Sequence, residues 1–161
     1  MLVRAMHKHC ERAGVSKAAR AGHSGAPPQE KAMPFVRIDL PDTVSPQQAQ
    51  ALGDAVHQAL VARFEVPPDD RFQVLARHAP GALVCTPDYL GVRHSARVAL
   101  VQITCSFGRT LAQKRALYAG IARNATQAGF AAADVIVYLV ETARENWSFG
   151  EGVAHYAPAA S

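Results

Sequence analysis

The chain has 161 residues, of which 49% are hydrophobic and 19% are charged. This length and composition fit one folded domain and exclude a wholly disordered chain. No apolar run approaches the roughly 20 residues that a membrane-spanning helix needs, so we expect no membrane partner. The three cysteines are an odd number without close spacing. They argue against a disulfide framework or a structural zinc site and favour a cytoplasmic protein.

The net charge of +4 belongs to the first 33 residues. Residues 1–33 carry six lysines and arginines against two acidic residues, whereas residues 34–161 carry eleven of each sign. A nucleic-acid-binding domain needs a basic face on its folded part, so we expect no nucleic-acid partner. Residues 1–33 lack a hydrophobic period, which predicts a disordered leader with weak transit-peptide character. A second interpretation is that Met33 is the true initiator. Both leave residues 34–161 as a single domain.

The first predicted unit is strand–helix–strand. Alternating strand-forming residues over 35–40 predict the first strand. Ser45 followed by Pro46 is typical of a helix N-cap and first turn. The apolar face of this helix recurs at helical spacing and consists of Ala49, Leu52, Val56, Leu60 and Phe64. A proline pair ends the helix, and residues 72–76 are predicted to form the second strand.

A second unit of the same kind follows a loop. Residues 79–97 contain several turn-forming pairs, which predict a loop with a short hairpin. Residues 98–105 predict a long buried strand. Thr110 is a candidate N-cap for a helix that ends at Gly129. Residues 135–140 predict the fourth strand.

A constant offset of 65 residues relates the two units without a gap. The offset pairs Ser45 with Thr110 and Gln48 with Gln113. Two tandem βαβ units with right-handed crossovers predict an α+β (α/β) fold, in which a four-stranded sheet carries both helices on one face. We expect the opposite face to be apolar and uncovered in a monomer, which predicts a closed homo-oligomer.

Four stretches resemble the motifs of one known family. They are Met33-Pro34 with the strand to Leu40, Val66-Pro67-Pro68-Asp69-Asp70-Arg71-Phe72-Gln73, Gly108-Arg109-Thr110 with Gln113-Lys114, and Glu145-Asn146-Trp147-Ser148-Phe149-Gly150. In this order they are similar to the tautomerase superfamily, in the branch around malonate semialdehyde decarboxylase. The resemblance covers residues 34–161 and none of the leader. It implies a homotrimer that acts on a small-molecule carboxylate substrate without a cofactor, and the scattered histidines predict no metal site.

The resemblance implies catalysis by an amino-terminal proline, and Pro34 lies at that position. A free α-amine has a pKa of roughly 7.7–8, and an apolar pocket beside a cation lowers the pKa further. Such an amine can carry a proton near neutral pH. An internal Pro34 is an amide without a basic nitrogen, so this prediction requires that residues 1–33 be absent or removed. The alternative interpretation is a proline that merely begins a strand.

The resemblance also implies roles for four other side chains. Arg109 corresponds to the family's carboxylate-binding arginine, whose fork can hold a carboxylate beside a helix N-terminus. Asp70 corresponds to an aspartate that activates water or assists at the substrate carbonyl, and we expect Arg71 to keep it ionised. Trp147 and Phe149 correspond to a pocket wall. The alternatives are a surface arginine, a turn aspartate and plain core or interface packing.

Phe107 departs from the decarboxylase branch, which has a second arginine at this position. Its loss removes a carboxylate contact and part of the field that lowers the proline pKa. A phenylalanine there favours a less polar substrate, such as a 2-hydroxy-2,4-dienoate or an arylenolpyruvate, unless it simply packs against its neighbours. The sequence therefore predicts a tautomerase that acts on a 2-oxo acid. The alternatives are a decarboxylase or hydratase and, if the leader is retained, a catalytically silent trimeric scaffold or small-acid binding protein.

Overall fold

A computed structural model describes residues 34–157, and the predicted leader lies outside the described residues. The helices and strands are β1 (Phe35–Pro41), α1 (Pro46–Phe64), β2 (Phe72–His78), β3 (Asp88–Tyr89), β4 (Val92–Arg93), β5 (Ala99–Ser106), α2 (Leu111–Gln127) and β6 (Val135–Thr142). Short 3-10 helices occupy Ala132–Asp134 and Arg144–Asn146. In the described part of the chain, no helix combines the length and the apolar character needed to cross a bilayer.

The four long strands form one mixed sheet in the order β2-β1-β5-β6. β1 runs parallel to β2 with Phe35 opposite Phe72, and β5 runs parallel to β6. The two units join where β1 and β5 pair antiparallel, with Val36 opposite Ile103. The predicted fold of two tandem βαβ units in a four-stranded sheet is confirmed.

Both helices pack on the same face of this sheet. Alternate strand residues such as Ile38 and Ile103 are fully buried, and they share one core with Leu52 of α1 and Leu117 of α2. Each helix begins with a capping box, in which the cap side chain and the glutamine three residues later bond reciprocally to the backbone. The capping boxes explain why both helix starts could be predicted from sequence.

The open face of the sheet is not uniformly apolar, so the expectation of an apolar face is wrong for its centre. Arg37 donates hydrogen bonds of 2.9 Å to both carboxylate oxygens of Asp39, and His78 Nε2 lies 2.6 Å from Asp39 Oδ1. Burial raises the pKa of Asp39, but the hydrogen bonds from Arg37 and His78 outweigh it and the pKa is lowered. Exposed apolar side chains such as Phe72 and Val140 flank this polar centre.

The loop between the units contains the predicted hairpin, formed by β3 and β4. The segment after the hairpin is fastened to the residues that precede β6. Ser95 donates two hydrogen bonds of 2.6 Å to the buried carboxylate of Asp134, one from its backbone N–H and one from its hydroxyl. His94 Nδ1 lies 2.5 Å from the carbonyl oxygen of Ala133. These contacts close the edge of the sheet where β5 and β6 begin.

Candidate active site

The strand directions bring the predicted residues to one edge of the sheet. β1 and β2 begin at the edge where β5 and β6 end. Pro34 immediately precedes β1 and Asp70 precedes β2, while Phe107 and Arg109 follow β5 and Trp147 follows β6. We call this end of the molecule the proline edge. The opposite end, where β5 and β6 begin, is called the far edge.

A cavity of about 300 Å³ opens at the proline edge. Its lining is made of aromatic rings, a proline and a serine, and consists of Pro34, Phe35, Phe72, Trp147, Ser148 and Phe149. Three of the six predicted site residues, Pro34, Trp147 and Phe149, therefore meet in one cavity. The lining carries no ionisable side chain, so a charged group on Pro34 would lose much of its hydration here.

Three rings build the aromatic wall of the cavity. The Trp147 and Phe149 rings stack with centroids 5.8 Å apart and an interplanar angle of 10°. The Phe72 ring lies 6.0 Å from that of Phe149 at 46°. Phe72 was not predicted as a site residue. Its place depends on the β1–β2 register, which sets it opposite Phe35.

Arg109 is half-buried against the end of α1 and does not line the cavity. Its Nη2 donates a 3.3 Å hydrogen bond to the carbonyl oxygen of Phe64, and its guanidinium carbon lies 4.9 Å from the centre of the Phe64 ring. The Nε atom is buried and has no hydrogen-bond partner among the described residues. Arg109 thus has an unused donor, held in place by a cation–π contact.

Asp70 is not paired with Arg71, so the expectation that Arg71 keeps it ionised is wrong. Arg71 Nη2 lies 2.6 Å from Asp54 Oδ1 instead. Asp70 Oδ1 is buried without a hydrogen-bond partner among the described residues. Burial raises the pKa of Asp70, the charge of Asp69 raises it further, and His57 opposes the shift. Asp70 therefore holds its proton to a higher pH than an ordinary aspartate.

Phe107 does not line the cavity and is 66% exposed. Its N–H donates to the carbonyl oxygen of Thr142 at 3.2 Å, which extends the pairing of β5 with β6. Gly108 follows with a φ of 114°, a conformation that favours glycine. This residue turns the chain from β5 towards Arg109 and the start of α2.

Unsatisfied buried polar atoms concentrate at the proline edge. Five buried side-chain atoms in the described residues have no hydrogen-bond partner, and four lie here: Asp70 Oδ1, Ser106 Oγ, Arg109 Nε and Trp147 Nε1. An unpaired buried polar group costs about 1–3 kcal/mol, and such groups in a native structure are rare. Ser106 was not predicted from sequence. Among residues 34–157, no group of three His, Cys, Asp or Glu side chains could hold a metal ion.

Comparison with known proteins gives a consistent result at family level. Two family models match the chain, Tautomerase over residues 34–93 and Tautomerase_2 over residues 70–150, and both are described as tautomerase enzyme. Probable tautomerase YusQ of Bacillus subtilis (strain 168) is 36% identical over 123 residues, which make up 76% of this chain and 97% of that protein.

Two solved structures are similar in fold. The crystal structure of FG41 malonate semialdehyde decarboxylase inhibited by 3-bromopropiolate matches with a TM-score of 0.72 and 37% identity, covering 76% of this chain and 93% of that one. A fused 4-OT symmetric trimer matches with a TM-score of 0.61 and 22% identity, covering 74% and 94%. The second likeness concerns the fold alone.

Proposed function

We propose that this chain, which belongs to the tautomerase family as its motifs predicted, is a cofactor-free tautomerase that acts on a 2-oxo acid. In this proposal a free amine on Pro34 moves a proton between the enol oxygen and a carbon of the substrate. The observation that carries the proposal is the position of Pro34 in an aromatic cavity of about 300 Å³. The proposal requires a form of the protein in which residues 1–33 are absent.

The chemistry that we assign to Pro34 follows from its surroundings. The Phe72, Trp147 and Phe149 side chains would desolvate the amine and disfavour its charged form. The neutral amine accepts the enol O–H proton while the O–H electron pair forms the C=O bond. The former C=C pair then takes a proton from the resulting ammonium group. The aromatic wall suits a planar phenylpyruvate- or dienoate-like substrate.

Arg109 and Asp70 have supporting roles in the proposal. Arg109 keeps an unpaired buried Nε beside the start of α2, a combination that suits a substrate carboxylate. Asp70 keeps a buried Oδ1 without a partner among the described residues, and we assign its carboxyl, whose pKa is raised by burial, to assist at the substrate carbonyl. We assign Phe107 to contact with the apolar part of the substrate. Because Phe107 does not line the cavity of the single chain, this contact requires a site that extends beyond that cavity.

We also propose that the protein is a cytoplasmic homotrimer. The open face of the sheet carries exposed apolar side chains, including Phe35, Phe72 and Val74, which a second copy of the chain would cover. Arg109 and Phe107 lie outside the lining of the cavity. For them to bind substrate, the site must extend beyond the cavity of a single chain, and a trimer would supply that extension. Light scattering after size exclusion tests this directly, and a monomer at micromolar concentration would contradict it.

The decisive experiment compares three proteins on phenylenolpyruvate. They are the chain that begins at Pro34, the same chain with Pro34→Ala, and the full chain with residues 1–33 attached. We expect the first to ketonise the substrate, the second to lose about 100-fold in rate because general acid–base catalysis contributes that much, and the third to be inactive. Pro46→Ala, at the first turn of α1, is the matched control. Equal rates for the Pro34→Ala variant and its parent would refute the role of Pro34.

A decarboxylase or hydratase is the second candidate. The 37% identity to FG41 malonate semialdehyde decarboxylase supports it, as does the position of Asp70 at the proline edge, whereas Phe107 in place of an arginine argues against it. In a decarboxylation the bond to the carboxyl carbon breaks, carbon dioxide leaves, and the remaining carbon takes a proton. Carbon dioxide release from malonate semialdehyde, exceeding the turnover of phenylenolpyruvate, would favour this candidate. An intact mass that retains residues 1–33 would favour a silent scaffold.

A further inference from the structure

The chain folds back on Phe149 after it has passed the cavity. Gly150 and Gly152 have φ values of 136° and 69°, and a turn closes where Val153 N–H donates to the carbonyl oxygen of Gly150 at 3.2 Å. We call residues 150–156 the C-terminal clamp. Positive φ values favour glycine, and the two glycines flank Glu151, which also has a positive φ of 55°. The reversal returns the chain to the aromatic wall.

The clamp holds Phe149 by its backbone and by its ring. Phe149 N–H donates a 3.3 Å hydrogen bond to His155 Nδ1. The His155 ring lies 5.8 Å from the Phe149 ring at 65°, and the Tyr156 ring lies 5.3 Å from it at 73°. These are edge-to-face contacts, a favoured arrangement for aromatic pairs. Arg144 lies over the Tyr156 ring at 5.6 Å and anchors it.

From these contacts, and resting on the proposed function, we propose that His155 and Tyr156 are positioning residues that fix the Phe149 ring in the cavity wall and so set the preference for aryl-substituted 2-oxo acids. Neither residue lines the cavity itself. Phe149 is 36% exposed, so without the clamp its ring can leave the wall. A displaced ring would widen the slot and weaken the binding of a flat aryl group. Phe72 and Trp147 would still line the cavity and keep the amine of Pro34 largely desolvated.

The test uses substitutions that remove or retain each contact. His155→Leu removes the acceptor, whereas His155→Asn keeps an oxygen near the position of Nδ1. Tyr156→Leu removes the ring, whereas Tyr156→Phe keeps it. Val153→Ala, at an exposed position in the same segment, is the matched control. All five are assayed in whichever form of the chain ketonises phenylenolpyruvate, the full chain or the one that begins at Pro34.

We expect both leucine variants to raise KM for phenylenolpyruvate by about 3–10-fold, the equivalent of one aromatic contact. Their kcat, and their KM for the smaller 2-hydroxy-2,4-pentadienoate, should stay within about 2-fold of wild type, because the chemistry and the smaller substrate do not depend on the clamp. The Asn and Phe variants should restore wild-type KM. A fall in kcat at unchanged KM, or equal KM changes for both substrates, would overturn the proposal.

Trp147 supplies an independent signal, because it is the chain's single tryptophan and stacks on Phe149. The probe is 3-phenylpropanoate, which has the aryl group and the carboxylate of the substrate but lacks the keto–enol group. Its binding should quench the Trp147 fluorescence. The apparent affinity from this titration should be weaker in His155→Leu than in wild type and restored in His155→Asn. Unchanged affinity in His155→Leu would overturn the role of the clamp and leave the tautomerase proposal intact. A wild-type protein that neither binds this probe nor ketonises the enol would refute both.

Discussion

The two edges of the sheet treat buried polar groups in opposite ways. At the far edge the Asp134 carboxylate is 4% exposed, and both of its oxygens accept hydrogen bonds from Ser95. At the proline edge Asp70, Arg109 and Trp147 each bury a polar atom without a partner among the described residues. Satisfied polar groups stabilise a fold, whereas unsatisfied ones cost stability and persist where a ligand or another surface uses them.

One atom departs from this division. Arg97 Nη2, near the far edge, is buried without a hydrogen-bond partner among the described residues. Its guanidinium carbon lies 5.4 Å from the centre of the Phe130 ring, so a cation–π contact stabilises the charge. Arg109 makes a comparable contact with Phe64 at the proline edge. A single buried polar atom without a partner is therefore weak evidence for a ligand site. The difference between the two edges rests on the four such atoms at the proline edge.

The largest effect is expected at the far edge. Asp134→Ala would leave the Ser95 N–H and hydroxyl without an acceptor, and we expect it to lower the free energy of unfolding by about 3 kcal/mol. Asp134→Asn keeps one acceptor and should cost about half as much. Urea unfolding measures both. Asp88→Ala, on the exposed hairpin, is the control. If an Asp134 variant lost activity while it was still fully folded, the assignment of the far edge to stability alone would be contradicted.

The opposite pattern is expected for Arg109→Leu. Removal of the guanidinium should lower kcat/KM for a carboxylate substrate by about 30-fold, or about 2 kcal/mol. The effect on stability should be smaller, because the losses to the protein are one hydrogen bond and one cation–π contact, both with Phe64. Arg123→Leu, at an exposed position on α2, is the matched control. Arg109→Lys keeps the charge but not the forked guanidinium, so its kcat/KM should lie between those of wild type and Arg109→Leu. If kcat/KM is unchanged in Arg109→Leu, Arg109 is a structural residue.

The fold was predictable because its signals are local. The capping boxes at Ser45 and Thr110 mark the helix starts, and the alternation from Phe35 to Leu40 marks a strand. The polar centre of the open face is also local, since Arg37 and Asp39 alternate with the buried residues of β1. The expectation of an apolar open face treated each strand as a whole. It therefore missed the polar residues that alternate with the buried ones.

The site was only partly predictable because it depends on contacts between distant segments. Phe72 reaches the cavity through the β1–β2 register, and Arg71 turns to Asp54 on α1 instead of to its sequence neighbour Asp70. Adjacent residues in extended chain point to opposite sides, so proximity in sequence was a poor guide to pairing. The His155 contact with Phe149 likewise needs the reversal of the chain at Gly150.

Two glycines of the helices offer a smaller test. A Cβ on Gly120 would meet Ala59 at an ordinary 3.5 Å, whereas a Cβ on Gly53 would lie 2.9 Å from Gln73 Oε1. Arg71 bonds that same oxygen. Gly120→Ala should therefore raise the free energy of unfolding by about 0.5–1 kcal/mol through helix propensity. Gly53→Ala should lack this gain, because the new Cβ would push against Gln73 Oε1 and the Arg71 side chain bonded to it. Thermal unfolding measures both, and equal gains would contradict the expected rigidity of the Arg71–Gln73 contact.

The smallest effect on stability concerns Asp70. Because burial raises its pKa in the folded state, the folded protein binds this proton more tightly than the unfolded chain does. As pH rises from the ordinary aspartate pKa through the raised value, this group makes folding less favourable. Asp70→Asn removes that dependence, and we expect a small rise in the free energy of unfolding at neutral pH, since the side chain stays partly solvated.

The same substitution should lower catalytic activity, because we assign the Asp70 carboxyl, with its buried and unpartnered Oδ1, to the substrate carbonyl. Urea unfolding from acidic to neutral pH, with activity assayed on the same samples, measures both effects. Asp69→Asn is the matched control. It removes the charge that adds to the raised pKa of Asp70, so it should flatten the pH dependence of stability in part and leave the Asp70 carboxyl in place. An Asp70→Asn protein that is less stable at neutral pH and fully active would assign Asp70 to the turn before β2 and refute its role in catalysis.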